Sequence, residues 1–234
     1  MTEEMARNLF IAIMMVGGLV WLVALSLALR IGKSPTVAPD FDWEHPDQPH
    51  PSEDSGSITV PGNTHDASTR LARAILQANQ QFDGVAYRIV ERSDRQLLIE
   101  KVGSYSQFSP HQHGGAYFSG AEFTFATTRS NQVEVTYQLD FTNFARRQRT
   151  IALALILGLG LPVLALAGLL IWNLVIFNPQ PGARWQVMQT LQIVHVLWPP
   201  FLPIGIYNFG RRSAKIWVEN VLASLQIVDL PQTA

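Results

Sequence analysis

The chain has 234 residues, of which 47% are apolar and only 15% are Asp, Glu, Lys or Arg, against roughly 25% charged in ordinary globular proteins. Basic and acidic side chains nearly cancel, 17 against 18, so no net field points to nucleic acid and none is expected as a partner. Cysteine is absent, which excludes disulfides, thiol catalysis and thiolate metal sites.

The missing charge is concentrated in two places. Residues 9–29 and 151–177 contain no Asp, Glu, Lys or Arg, and each exceeds the roughly 18 apolar residues that suggest a membrane span. The first run follows Glu3, Glu4 and Arg7. It is long for a signal peptide, and no small-x-small cleavage pattern follows Arg30. Residues 1–31 therefore read as an uncleaved N-terminal transmembrane anchor.

Residues 32–63 read as a disordered linker, because six prolines and several acids lie between Lys33 and Asn63 with almost no apolar periodicity. Such a segment buries too little surface to offset its ordering entropy. Its acids and His45 and His50 are read as solvated rather than as a cation site.

A small α+β domain is expected over 64–149. Leu71, Ile75, Ala78 and Phe82 recur at helical spacing and predict a helix over 66–82, ended by Asp83-Gly84. Strands follow at 85–92 and 96–102, joined through Ser93-Asp94-Arg95, and a further strand at 116–127. The clearest signal is at 133–141, where Val133, Val135, Tyr137, Leu139 and Phe141 alternate with Glu134, Thr136, Gln138 and Asp140. Strict alternation predicts a half-buried antiparallel strand with one wet face.

Residues 150–178 form the second predicted span, with Gly158, Gly160 and Pro162 loosening its first half. Residues 184–210 are more polar: Gln186, Gln189, Gln192 and His195 recur at spacing three, and Pro199, Pro200 and Pro203 interrupt the helix. This segment is either a kinked third span or an amphipathic helix in the interface. Its length and the following Arg211, Arg212 and Lys215 favour the span. In the tail, 211–230, Trp217, Val221, Leu225 and Val228 mark an amphipathic helix with no Lys or Arg after Lys215. That pattern predicts packing on the sheet rather than on a membrane surface.

The fold class expected is thus a membrane protein with α-helical spans plus a small α+β domain. In it a helix lies on a four-stranded, mainly antiparallel sheet closed by the C-terminal helix. With three spans, Arg30, Lys33, Arg146, Arg147, Arg149, Arg211, Arg212 and Lys215 share one side, and Arg7 and Arg184 the other. This bias places the N-terminus outside a bacterial inner membrane, with the α+β domain and C-terminus cytoplasmic.

Little in the chain points to chemistry. His111 and His113 could share a metal in an extended loop, but only His65 and scattered acids are available as further ligands, so the pair is a weak metal candidate. Neither GxSxG nor HExxH occurs, and no serine is spaced with a base and an orienting acid. No catalytic residue and no cofactor is expected. Gln189, Gln192 and His195 form an intramembrane polar contact, most simply with another span, a protein partner or a second copy. The expected role is that of a non-catalytic accessory, scaffold or assembly protein held in the lipid bilayer. The alternative is a membrane-anchored module binding a lipid or another apolar ligand.

Overall fold

The computed structural model describes residues 3–33, 53–80, 86–102, 117–128, 132–177 and 198–227. The chain divides into two compact units, one of Met1–Ile31 with Arg146–Ile206, the other of Gly32–Ala145 with Tyr207–Ala234.

The described residues of the first unit are largely helical. Helix α1 covers Glu3–Arg30. Helix α3, Thr142–Ala154, continues through a π-helical turn, Leu155–Gly160, into α4, Leu161–Ile171, and a second π-helical turn, Trp172–Phe177. The first π turn falls where Gly158, Gly160 and Pro162 cluster. Pro162 has no N–H to donate, and Leu161 N–H reaches back five residues to Ile156 O.

Along α1 the buried positions are Gly17, Trp21, Ala24 and Ala28, followed by Ile31. Alternating steps of four and three are those of helices packed side by side. Ala152, Ile156, Gly160 and Ala167 are buried on the other helix. Trp21 packs closely against Gly160, where an added Cβ would fall 1.4 Å from the indole ring, and a Cβ at Gly168 would fall 3.7 Å from Met14 Cε. Those pairs make the helices antiparallel and leave small residues in the seam. Large apolar side chains point the other way: Leu19, Leu22, Leu166 and Leu169 are all more than half exposed.

The second unit is an α+β layer. Its elements are β1 (Glu53–Pro61), α2 (Thr64–Gln80), β2 (Ala86–Arg92), β3 (Gln96–Val102), β4 (Gly120–Thr128), β5 (Gln132–Asp140) and the C-terminal part of α5 (Phe201–Ile227). The sheet has five strands in the order β1-β5-β4-β3-β2, every neighbouring pair antiparallel. Strands β2 to β5 form a meander. β1 and β2 occupy opposite edges, and α2 makes the connection between them.

The sheet thus has one strand more than the four expected. The added strand, Glu53–Pro61, falls in the stretch expected to be a linker, and its residues pair with β5 from Glu53↔Asp140 to Pro61↔Gln132. Only Ile58 and Val60 carry an inward apolar pattern, and the first five residues are acids, serines and glycine. This strand owes its conformation to a partner far along the chain, not to local propensity. Residues 34–52, the rest of the expected linker, lie outside the described residues.

One face of the sheet carries the core. Leu97, Ile99, Ala121, Phe123, Phe125, Val133, Val135, Tyr137 and Leu139 point inward at period two, against Ala67, Leu71, Ala72 and Ile75 of α2. Asn63 caps α2: its Oδ1 accepts Asp66 N–H at 2.8 Å, and its Nδ2 donates to Asp66 Oδ2 at 2.8 Å. Ala214, Val218, Leu222 and Leu225 of α5 complete the same core, flanked by half-buried Trp217 and Val221. The buried stripe is therefore centred one position from the expected Trp217–Val221–Leu225 line, and Val228 lies outside the described residues. The opposite face of the sheet is polar, with Arg88 Nη2 donating to Glu100 Oε2 at 2.8 Å and Gln96 Nε2 to Glu122 Oε1 at 2.7 Å.

Candidate functional site

The polar chemistry of the α+β unit gathers where α5 crosses the edge strand β1. Asp54 shares the inward register of Ile58 and Val60 but sits at the open end of the strand. Arg211, Lys215 and Glu219 follow one another at steps of four on α5, which stacks them along one face of the helix. Arg211 Nη2 donates to Asp54 Oδ2 at 3.4 Å, and Lys215 Nζ lies 3.8 Å from Asp54 Oδ1. The Arg211 guanidinium also lies 5.9 Å from the ring centre of Phe141 and 5.7 Å from that of Tyr207, a position that favours a cation over the negative face of each ring. Its Nε is buried without a hydrogen-bond partner among the described residues.

One turn further along α5, Tyr137 of β5 donates its hydroxyl to Glu219 Oε1 at 3.1 Å. Gly56 is the strand partner of Tyr137, and a Cβ there would fall 2.6 Å from the phenolic oxygen. Glycine is thus required for the ring to pass β1 and reach the helix. Burial chiefly, then the hydrogen bond to Glu219 and the charges of Glu219 and Asp54, hold the Tyr137 hydroxyl protonated well above its ordinary range.

The far end of β1 is fastened by hydrogen bonds to its carbonyls. Gln226 Nε2 donates to Thr59 O at 2.8 Å, and Arg70 Nη2 of α2 donates to Pro61 O at 2.6 Å. The arrangement compensates charge and occupies the backbone of an edge strand. It holds the C-terminal helix against β1 over the length of the strand.

Two aromatic groups flank this polar line. Tyr87 and Phe118 stack with centroids 4.8 Å apart, and Trp217 tilts over them at 6.2 and 5.8 Å. Tyr117, Phe144 and Tyr207 form a second chain of rings at 5.3 and 5.7 Å, with Phe209 edge-on to Tyr117 at 6.4 Å. Gly210 admits this second group, since a Cβ there would lie 2.7 Å from Phe144 and 2.8 Å from Tyr117.

The residues singled out from sequence are placed elsewhere or not at all. His111 and His113, and Gln189, Gln192 and His195, lie outside the described residues. His65 is described: its Nδ1 is 2.8 Å from Asp94 Oδ1 in an exposed surface pair. Among the described residues no group of three or more His, Asp and Glu is disposed to hold a metal ion.

In the sequence, Asp54 stands among the solvated acids of an expected linker, Tyr137 is an ordinary core position and Glu219 lies on the wetter side of the tail helix, and nothing there joins the three into a site. Comparison of the chain with protein-family models, with curated proteins and with solved structures gave no match.

Proposed function

We propose that the chain is an integral membrane protein. In this reading α1 and the α3–α4 helix span the bilayer with residues 184–210 as a third span, and the α+β unit is presented at the cytoplasmic surface. Its role is that of a non-catalytic accessory, scaffold or assembly protein. The observation that carries this reading is the apolar surface of the first unit. Within Ile11–Arg30 and Thr142–Leu169 the most apolar 18-residue windows have mean hydropathies of 2.4 and 2.5, and only 22% of each window is buried. The core helix of a water-soluble protein would bury most of such a window, because each exposed Å² of apolar surface costs about 25 cal/mol in water. The orientation rests on eight basic residues near span ends on one side against two on the other. The α+β unit supports a presenting role, since its polar side chains are used to hold α5 on β1 and its core is filled by aromatic and aliphatic side chains.

Purification of the full chain in mild detergent, with mass spectrometry of what accompanies it, tests the role. A stoichiometric protein partner is the expected result. A stoichiometric buried lipid with no protein partner would replace the accessory role with that of a lipid-binding module.

A further inference from the structure

Helix α3 carries three arginines within four residues, Arg146, Arg147 and Arg149. Arg146 and Arg147 are exposed and Arg149 is half-exposed, while Ala145, Gln148 and Ala152 are buried, so Arg146 and Arg147 point away from the packed side and Arg149 borders it. Among the described residues none of the three has a carboxylate within ion-pair distance, in contrast with Arg88 and Arg211 of the α+β unit. The sequence explains why: from Thr142 to Phe177 the chain has no Asp or Glu at all. Thr150 does not compete, because its hydroxyl donates to Arg146 O at 2.9 Å.

The position of the cluster along the helix is as informative as its charge. Ile151 begins the charge-free stretch 151–177. At about 1.5 Å of rise per residue, the three arginine Cα atoms lie within about 8 Å of its start. If that stretch occupies the hydrocarbon, the guanidinium groups reach the layer of lipid phosphates. Guanidinium is planar and presents paired N–H donors that match two oxygens of one phosphate, and such pairs are short, charged and directional. A zwitterionic headgroup offers the same phosphate beside its own cation, whereas an anionic headgroup offers it uncompensated.

We infer that Arg146, Arg147 and Arg149 form a binding site for the headgroup phosphate of an anionic phospholipid. The inference rests on the membrane reading above and deepens it by naming the lipid class recognised at the head of the second span.

The test uses the full chain in mild detergent with added phosphatidylglycerol or phosphatidylcholine, and counts retained lipid by native mass spectrometry. The wild type should retain phosphatidylglycerol in preference to phosphatidylcholine by on the order of tenfold, as expected for several guanidinium groups at an anionic surface. R146Q/R147Q/R149Q should lose that preference, and R95Q, which removes an exposed arginine from the β2–β3 turn, should keep it. The single variants R146Q and R147Q guard against misfolding of the triple variant, and each should lower the preference severalfold. No preference in the wild type, or an unchanged preference in both single variants, overturns the inference. So does release of the retained lipid by millimolar inorganic phosphate, which would mark a general phosphate site. Alkaline carbonate extraction of cell membranes separates this failure from failure of the membrane reading. Protein that leaves with the soluble fraction ends both, and protein that stays in the membrane without lipid preference ends only this one.

Discussion

At the scale of single residues, Gly56 and Tyr137 form the tightest local constraint in the α+β unit. The phenol crosses β1 only because Gly56 has no side chain, and a Cβ there would fall 2.6 to 2.9 Å from three of its atoms. Gly56→Ala should therefore destabilise the protein by about 1–3 kcal/mol, the usual range for overpacking a filled site. Tyr137→Leu should relieve part of that cost. A double-mutant cycle by denaturant unfolding would show strong coupling, whereas additive effects would mean that the ring moves aside freely. The hydroxyl also predicts a pH dependence. Tyrosine in an unfolded chain titrates near about pH 10, and the folded value lies above it. Above the unfolded value the unfolded state releases a proton that the folded state keeps. Stability is thus complete below the unfolded pKa and is lost as the pH rises from there toward the folded one. Tyr137→Phe should reduce this alkaline slope, at a cost near neutral pH of about 1 kcal/mol for the lost hydrogen bond to Glu219. An unchanged slope in the variant would assign the titration to another group.

At the scale of elements, β1 and α5 depend on each other. The strand buries little apolar surface of its own: Val60 is fully buried and Ile58 partly so. It is held by pairing with β5 and by the side chains of Arg211, Lys215 and Gln226. The part-buried Asp54 pairs add little, since partly solvated ion pairs contribute at most about 1 kcal/mol. Apolar burial by α5 is the larger effect. Leu222 is fully buried in the core, so Leu222→Ala should cost about 2–5 kcal/mol, read from thermal or denaturant unfolding followed by Trp217 fluorescence. A cost below about 0.5 kcal/mol would match a surface position and would mean that α5 does not close the core. β2, at the other edge, has a register irregularity between Ile89 and Glu91, a device that discourages pairing with further strands.

At the scale of the whole molecule, the proposed topology yields a clean experiment, because the chain has no cysteine to give background. Single substitutions Gln180→Cys, Ser55→Cys and Thr233→Cys would be exposed in turn to a thiol reagent that cannot cross the membrane. In intact cells only the variant at 180 should be labelled. Labelling at 55 would reverse the orientation, and labelling at 233 alone would make 184–210 an interfacial or re-entrant segment. The same scale governs any attempt to isolate the α+β unit. A fragment beginning at residue 64 would lack β1, and one ending at 145 would lack the α5 residues in the core. The smallest fragment containing both is 53–145 joined to 207–227 through a Gly/Ser linker.

Much of this architecture was legible one segment at a time. Apolar runs free of charge marked the helices Ile11–Arg30 and Thr142–Leu169, because a stretch of more than about 18 such residues has few other uses. Period-two alternation marked β5, and a 3.6-residue period marked α2, because each places its apolar side chains on one face. The candidate site was hidden for the same reason. Asp54 and Gly56 look like linker residues, and β1 becomes a strand only when β5, more than 70 residues away, supplies its hydrogen bonds. Tyr137 looks like core, and only Glu219, 82 residues further along the chain, turns its hydroxyl into a clasp. The buried stripe of α5 likewise settled on Ala214, Val218, Leu222 and Leu225, because the shape of the sheet beneath, and not the hydrophobicity of the helix alone, selects which of two adjacent stripes is covered. Periodicity is a local property that sequence carries openly, whereas register between distant segments depends on complementary surfaces that exist only once both have formed.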